Sequence, residues 1–126
     1  MHSAFDLNFG NEHKPLSDQK LAKFREMYEY LKVIIIDEIS LLGADTLFKI
    51  HLRLGEIFKN EELFGGRSVI LVGDLLQLAP VQAKYVFDEP RNSNFRPFYH
   101  ANSLWHSFTP MILSHNHRQG TFITFY

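Results

Sequence analysis

Two apolar runs in this 126-residue chain end in carboxylates. Val33-Ile34-Ile35-Ile36 runs into Asp37-Glu38, and residues 68–72 (SVILV) run into Gly73-Asp74. Ligands of open parallel sheets sit outside the carboxyl ends of the strands, so Asp37, Glu38 and Asp74 fall where chemistry is done. An apolar strand closed by Asp-Glu is a form in which phosphoryl-transfer proteins hold magnesium. The Asp reaches Mg²⁺ and the Glu polarises the attacking water. Acidic residues also end strands simply because the chain returns to solvent there. A second strand ending in Gly-Asp shifts the balance toward chemistry.

Other chemistries fit less of the chain. Three carboxylates with a His could build a two-metal nuclease, but that leaves the stretch GDLLQLAPV unexplained. His115-Asn116-His117 spells the letters of a nuclease motif whose residues are spread over a long ββα-metal unit, so the bare tripeptide is coincidence. The absence of Cys excludes disulfides, thiol catalysis and thiolate zinc sites. A formal charge of −1 removes the simple case for a polybasic nucleic-acid or membrane binder. Residues 67–126 nevertheless hold five basic and three acidic side chains, whereas residues 1–66 hold eight and eleven. No apolar run approaches the roughly 18–20 residues of a membrane span, and the first residues lack the layout of a secretory leader. A soluble, intracellular chain is the expectation.

The elements that must position these residues alternate. Ser17 and Asp18 start a helix whose stripe of Leu21, Phe24, Tyr28 and Leu31 runs to about Lys32. The unalternated run at 33–36 then reads as a strand buried on both faces. Residues 44–59 form a second helix with Leu47, Ile50, Leu54, Ile57 and Phe58 on one side, Gly65-Gly66 turns, and 68–72 is a second buried strand. This order predicts an α/β domain with a parallel β-sheet flanked by helices. Beyond Pro80 the chain is irregular and aromatic-rich, with a short helix around Leu104-Trp105 and Phe108. Met111-Ile112-Leu113 reads as a third short strand.

The motifs, in order, carry a resemblance. Residues 33–40 (VIIIDEIS) resemble motif II, the Walker B element, of superfamily 1 helicases. Residues 73–81 (GDLLQLAPV) resemble their motif III, which usually has two prolines before the final Val. Residues 113–119 (LSHNHRQ) resemble motif IV, and His2-Ser3-Ala4-Phe5 resembles the end of a motif near Ia. The set resembles the petite-integration-frequency (superfamily 1B) DNA helicases, RecD-related and including Helitron-like forms. That resemblance implies a partial RecA-like P-loop NTPase domain over residues 1–119, with 120–126 as an atypical tail.

The same resemblance implies the roles. Asp37 coordinates Mg²⁺, Glu38 is the general base, Gln77 senses the γ-phosphate of ATP, and Arg118 stabilises the charge that develops in transfer. Asp74 orders the loop between nucleotide and DNA. His2 and Phe5 are candidates for a single-stranded DNA track, with Phe5 equally readable as a packed core residue. No Gly-rich loop ending in Gly-Lys-Ser/Thr occurs, and motifs V and VI are absent. The expectation is therefore a piece of motor domain one from an ATP-dependent 5′→3′ helicase acting on single-stranded or forked DNA. Repair, recombination and telomere maintenance are the implied settings, in the nucleus or the mitochondrion. The alternative is a non-catalytic remnant that only binds DNA or a partner protein.

Overall fold

A computed structural model describes residues 4–7, 13–90 and 104–113. Its order is α1 (Asp18–Met27), β1 (Val33–Ile36), α2 (Ala44–Phe58) and β2 (Ser68–Leu71), with short 3₁₀ turns at Ile39–Leu41, Leu63–Gly66 and Leu104–Ser107. The strands pair in parallel, Val33 opposite Ser68 through Ile36 opposite Leu71. The helix–strand alternation and the parallel pairing are those the sequence predicts.

α1 begins where Ser17 accepts the Lys20 N–H at 3.5 Å, with Asp18 in the first turn. It stops at Met27, five residues short of the expected end. The N–H groups of Glu29 and Leu31 bond three residues back, to Glu26 and Tyr28, and this tightening turns the chain into β1. Leu21, Phe24, Tyr28 and Leu31 pack half-buried on the core. α2 is the spine of that core: Leu47, Phe48, Ile50, Leu54 and Ile57 are all buried. The Arg25 guanidinium donates to the Ile57 and Glu56 carbonyls at 2.8 and 3.0 Å, satisfying acceptors that the end of α2 leaves open.

Arg53 is the departure from ordinary polarity. It lies three residues after Ile50 and four before Ile57, on the buried stripe, and is almost wholly enclosed. Its guanidinium pairs with Glu56 at 2.6 Å and donates to the backbone carbonyls of Lys14 and Asp6 at 2.9 and 3.4 Å. Glu56 in turn accepts the Leu16 N–H at 2.7 Å. One buried ion pair thus fastens the N-terminal segment to α2.

Two expectations about the strands are corrected. β1 and β2 are covered on one face only: Ile34 and Ile36 are buried, while Val33, Ile35, Ile70 and Val72 are exposed, Ile35 by 66%. Among the described residues a single helical layer packs on the sheet. Met111, Ile112 and Leu113 form no strand and are about nine-tenths exposed. An apolar triplet has the composition of a strand, but a strand exists only with a ladder partner.

Candidate nucleotide-hydrolysis site

In-register parallel pairing puts the ends of β1 and β2 side by side, so Asp37-Glu38 and Gly73-Asp74 emerge at one edge of the sheet. The ladder continues past the strands. The Val72 N–H donates to the Ile36 carbonyl at 2.8 Å, and the Ile39 N–H donates back to the Val72 carbonyl at 3.0 Å. Between those bonds Glu38 takes a left-handed conformation (φ 58°, ψ 50°). A non-glycine residue held there costs on the order of 1 kcal/mol or more, a cost that recurs at functional positions. The Asp37 Oδ1 accepts the Glu38 N–H at 2.8 Å, which supports that turn, and Asp37 as a whole is exposed.

Gly73 is the contact between the two segments. Its φ is 143°, and a Cβ placed on it would lie 2.8 Å from the Ile39 nitrogen and 3.4 Å from the Glu38 Cα. Only a residue without Cβ lets the end of β2 approach the Glu38 turn this closely. Asp74 then builds the following loop: its Oδ1 accepts the Leu76 N–H at 2.9 Å and its carbonyl accepts the Gln77 N–H at 3.2 Å. Gln77 is exposed in that loop, between Leu76 and Leu78, which are exposed as well. Pro80 is buried and returns the loop to the body.

Asp37, Glu38, Asp74 and the Gln77 loop therefore share an edge. His2 and Arg118 lie outside the described residues. Phe5 is corrected from a base-stacking candidate to a core residue: it is only 7% exposed, and its ring lies 5.7 Å from Tyr28 at 51°. Burial against Tyr28 takes up the surface a base would need. Reading by motif also passed over Arg53, whose signal was its place on the apolar stripe of α2.

Away from the edge, burial pushes two imidazoles down from their ordinary pKa. His51 is desolvated between Phe48 and Phe64, and its Nδ1 accepts the Phe64 N–H at 3.0 Å. His13 is lowered by burial and by the Arg53 charge, against the opposing pull of Glu56 3.6 Å away.

Two adjacent parallel strands bring Asp-Glu and Gly-Asp to one edge of an α/β sheet, the edge at which proteins of this class hold their ligands. The family description of PIF1-like helicases matches residues 1–123, and the chain belongs to that family. It is 33% identical to the ATP-dependent DNA helicase RRM3 of Saccharomyces cerevisiae over 67% of this chain and 12% of that protein. It is 33% identical to the ATP-dependent DNA helicase Pif1 of Campylobacter jejuni, over 82% of this chain and 22% of that one. The crystal structure of Pif1 helicase from Bacteroides in complex with ADP-AlF3 and ssDNA superposes with a TM-score of 0.58 at 30% identity. That match covers 70% of this chain and 24% of the Bacteroides chain. The chain thus spans less than a quarter of these relatives. Among the described residues no helix is long and apolar enough to cross a membrane.

Proposed function

We propose that this chain forms part of the first motor domain of an ATP-dependent DNA helicase, over residues 1–119, with 120–126 as a divergent tail. The observation that carries the reading is the shared edge: the Asp37-Glu38 turn and the Gly73-Asp74 loop, locked together by the Gly73 contact. ATP is the nucleotide, and single-stranded or forked DNA the track, as the names of the relatives suggest. The 5′→3′ polarity, the roles in repair, recombination and telomere maintenance, and a nuclear or mitochondrial setting follow from family resemblance.

The residues fit a magnesium ion of the substrate-bound kind. No cluster of three metal-ligating side chains exists among the described residues. Mg²⁺ in phosphoryl-transfer sites asks for one or two carboxylates, with water and substrate phosphates completing the shell. Asp37 would hold that ion, which when bound would neutralise charge on the phosphates. Glu38, the next residue, orients the hydrolytic water and takes its proton. Its left-handed backbone breaks the extended run of β1 at this residue. Gln77, on a loop tied to the same edge, reports the state of the γ-phosphate to the DNA-facing side. Arg118 supplies the positive charge that hydrolysis needs as the terminal phosphoryl group departs.

The test places residues 1–126 in Bacteroides Pif1 in exchange for the matching segment. DNA-stimulated phosphate release by the exchanged protein, abolished by Glu38→Gln, is the expected result. The chain alone should release no phosphate, since no Gly-rich loop with its lysine is in the sequence to cradle the phosphates. Turnover by the isolated chain near 1 s⁻¹, an ordinary enzyme rate, would refute that account of the site. Turnover that survives Glu38→Gln would remove Glu38 as the base, and an exchanged protein that binds DNA but releases no phosphate would favour a non-catalytic segment that only binds DNA or a partner.

A further inference from the structure

Tyr85 and Phe87 form a built aromatic platform outside the motifs. Their rings lie parallel, 7° apart with centroids at 5.0 Å, and each residue is 41% exposed. Both residues thus keep a large share of their surface open to solvent while stacked on each other. The pair is held by its surroundings. Val86 between them is buried, Trp105 meets Phe87 edge-on at 6.2 Å, and Asp88 closes the turn. The Tyr85 N–H donates to the Asp88 carboxylate at 3.1 Å, and the Asp88 N–H donates back to the Tyr85 carbonyl at 2.9 Å.

We propose that Tyr85, braced by Phe87, is a stacking site for a base of single-stranded DNA. This rests on the helicase reading above and assigns a contact to residues outside its motifs. Three observations favour a base over an apolar protein partner. The rings are parallel and already stacked, so a third flat ring extends the stack without reordering the first two. The apolar surface is narrow, interrupted by exposed Lys84 and Glu89 and by Asp88, whereas a protein docking face needs contiguous apolar area. Lys84, the residue before Tyr85, is exposed and adds a positive charge to this stretch of surface, the charge that meets backbone phosphates.

The platform is also wired to the hydrolysis edge. Tyr85 pairs with Gly43 in an antiparallel bridge, and the Lys84 carbonyl accepts the Ala44 N–H at 3.2 Å. From Gly43 a single 3₁₀ turn, Ile39–Leu41, leads back to Glu38. A base seated on Tyr85 therefore bears on the segment that carries the general base.

The experiment titrates the chain with a labelled oligothymidylate and with an abasic oligomer of equal length, which has the phosphates but no bases. Tyr85→Ala should weaken oligothymidylate binding about tenfold, the loss one base–aromatic stack carries, while Tyr85→Phe binds as the unaltered protein does. The abasic oligomer should bind the unaltered protein and Tyr85→Ala equally. Trp105, the sole tryptophan, should change its emission on binding oligothymidylate through its contact with Phe87. That readout needs no substitution. Oligothymidylate binding that survives Tyr85→Ala, an unchanged Trp105 emission, or no binding by the unaltered chain would each overturn the platform. None of these results touches the Glu38→Gln hydrolysis test, so the helicase reading is judged separately.

Discussion

Replacing Gly73 with Ala adds one methyl group at the point where the two motifs meet. The new Cβ would sit 2.8 Å from the Ile39 nitrogen and 2.9 Å from the Ile39 Cγ2. The first contact is with backbone, and that backbone is committed to the bond from the Ile39 N–H to Val72. It cannot swing aside as the tip of a side chain could. The φ of 143° adds a second cost, since an L side chain rarely occupies that region. Strain of this kind costs about 1–3 kcal/mol, and a displaced ladder bond adds about 1 kcal/mol. A total of about 2–4 kcal/mol is a large share of the 5–15 kcal/mol that holds an ordinary domain together. For a chain of this length that corresponds to a fall in Tm of roughly 6–16 °C. Thermal unfolding followed by far-UV circular dichroism measures it. Leu76→Ala, at a side chain 96% exposed, serves as the control and should shift Tm by no more than about 2 °C. A Gly73→Ala protein that melts with the unaltered chain would show that β2 does not end against the Glu38 turn.

The remaining predictions concern the site, the buried pair and acidity. In the exchanged helicase, Glu38→Gln and Arg118→Ala should abolish hydrolysis while sparing DNA binding, and Gln77→Ala should reduce unwinding at least as much as hydrolysis. Intact ATPase activity in Arg118→Ala would remove residues 113–119 from the site. Arg53→Ala should destabilise the chain by about 3 kcal/mol, because Glu56 and the Lys14 carbonyl lose their buried partner; urea titration reads this, and a loss under about 1 kcal/mol would contradict it. Burial lowers the folded pKa of both His51 and His13 below the ordinary 6.5. Protons then bind the unfolded chain more readily, so this stability is fully present above about pH 6.5 and is lost as pH falls toward the folded values. Tm should decline from pH 7 to pH 5, His51→Gln should flatten part of that decline, and an unchanged slope in the variant would refute the assignment.

Much of the shared edge was legible because its determinants are local. An unbroken β-branched run followed by Asp-Glu names a strand and its carboxyl end together, whereas the close approach at Gly73 appears only once β2 lies beside the Glu38 turn. What was not legible depends on neighbours. Ile35 and Ile70 have the composition of doubly buried strand residues, yet a residue cannot encode whether a second layer is present to cover it. Met111-Ile112-Leu113 failed as a strand for want of a ladder partner. Phe5 could be read as a stacking ring or a packed one, and the choice was made by Tyr28, 23 residues away. Arg53 shows the reverse case. Its type says surface and its spacing says core, and the spacing was right because Glu56 and two carbonyls were there to receive it.

The bare face of the sheet bears on the life of the chain in a cell. Val33, Ile35, Ile70 and Val72 present an apolar surface on a pair of strands whose outer edges have no ladder partner among the described residues. Open edges and contiguous apolar side chains are what templated aggregation and chaperone capture both recognise. On that ground residues 1–126 by themselves should self-associate or be degraded more readily than a chain with this face made polar. A pulse-chase comparison with and without Ile35→Thr and Ile70→Thr would read the half-life set by this one surface.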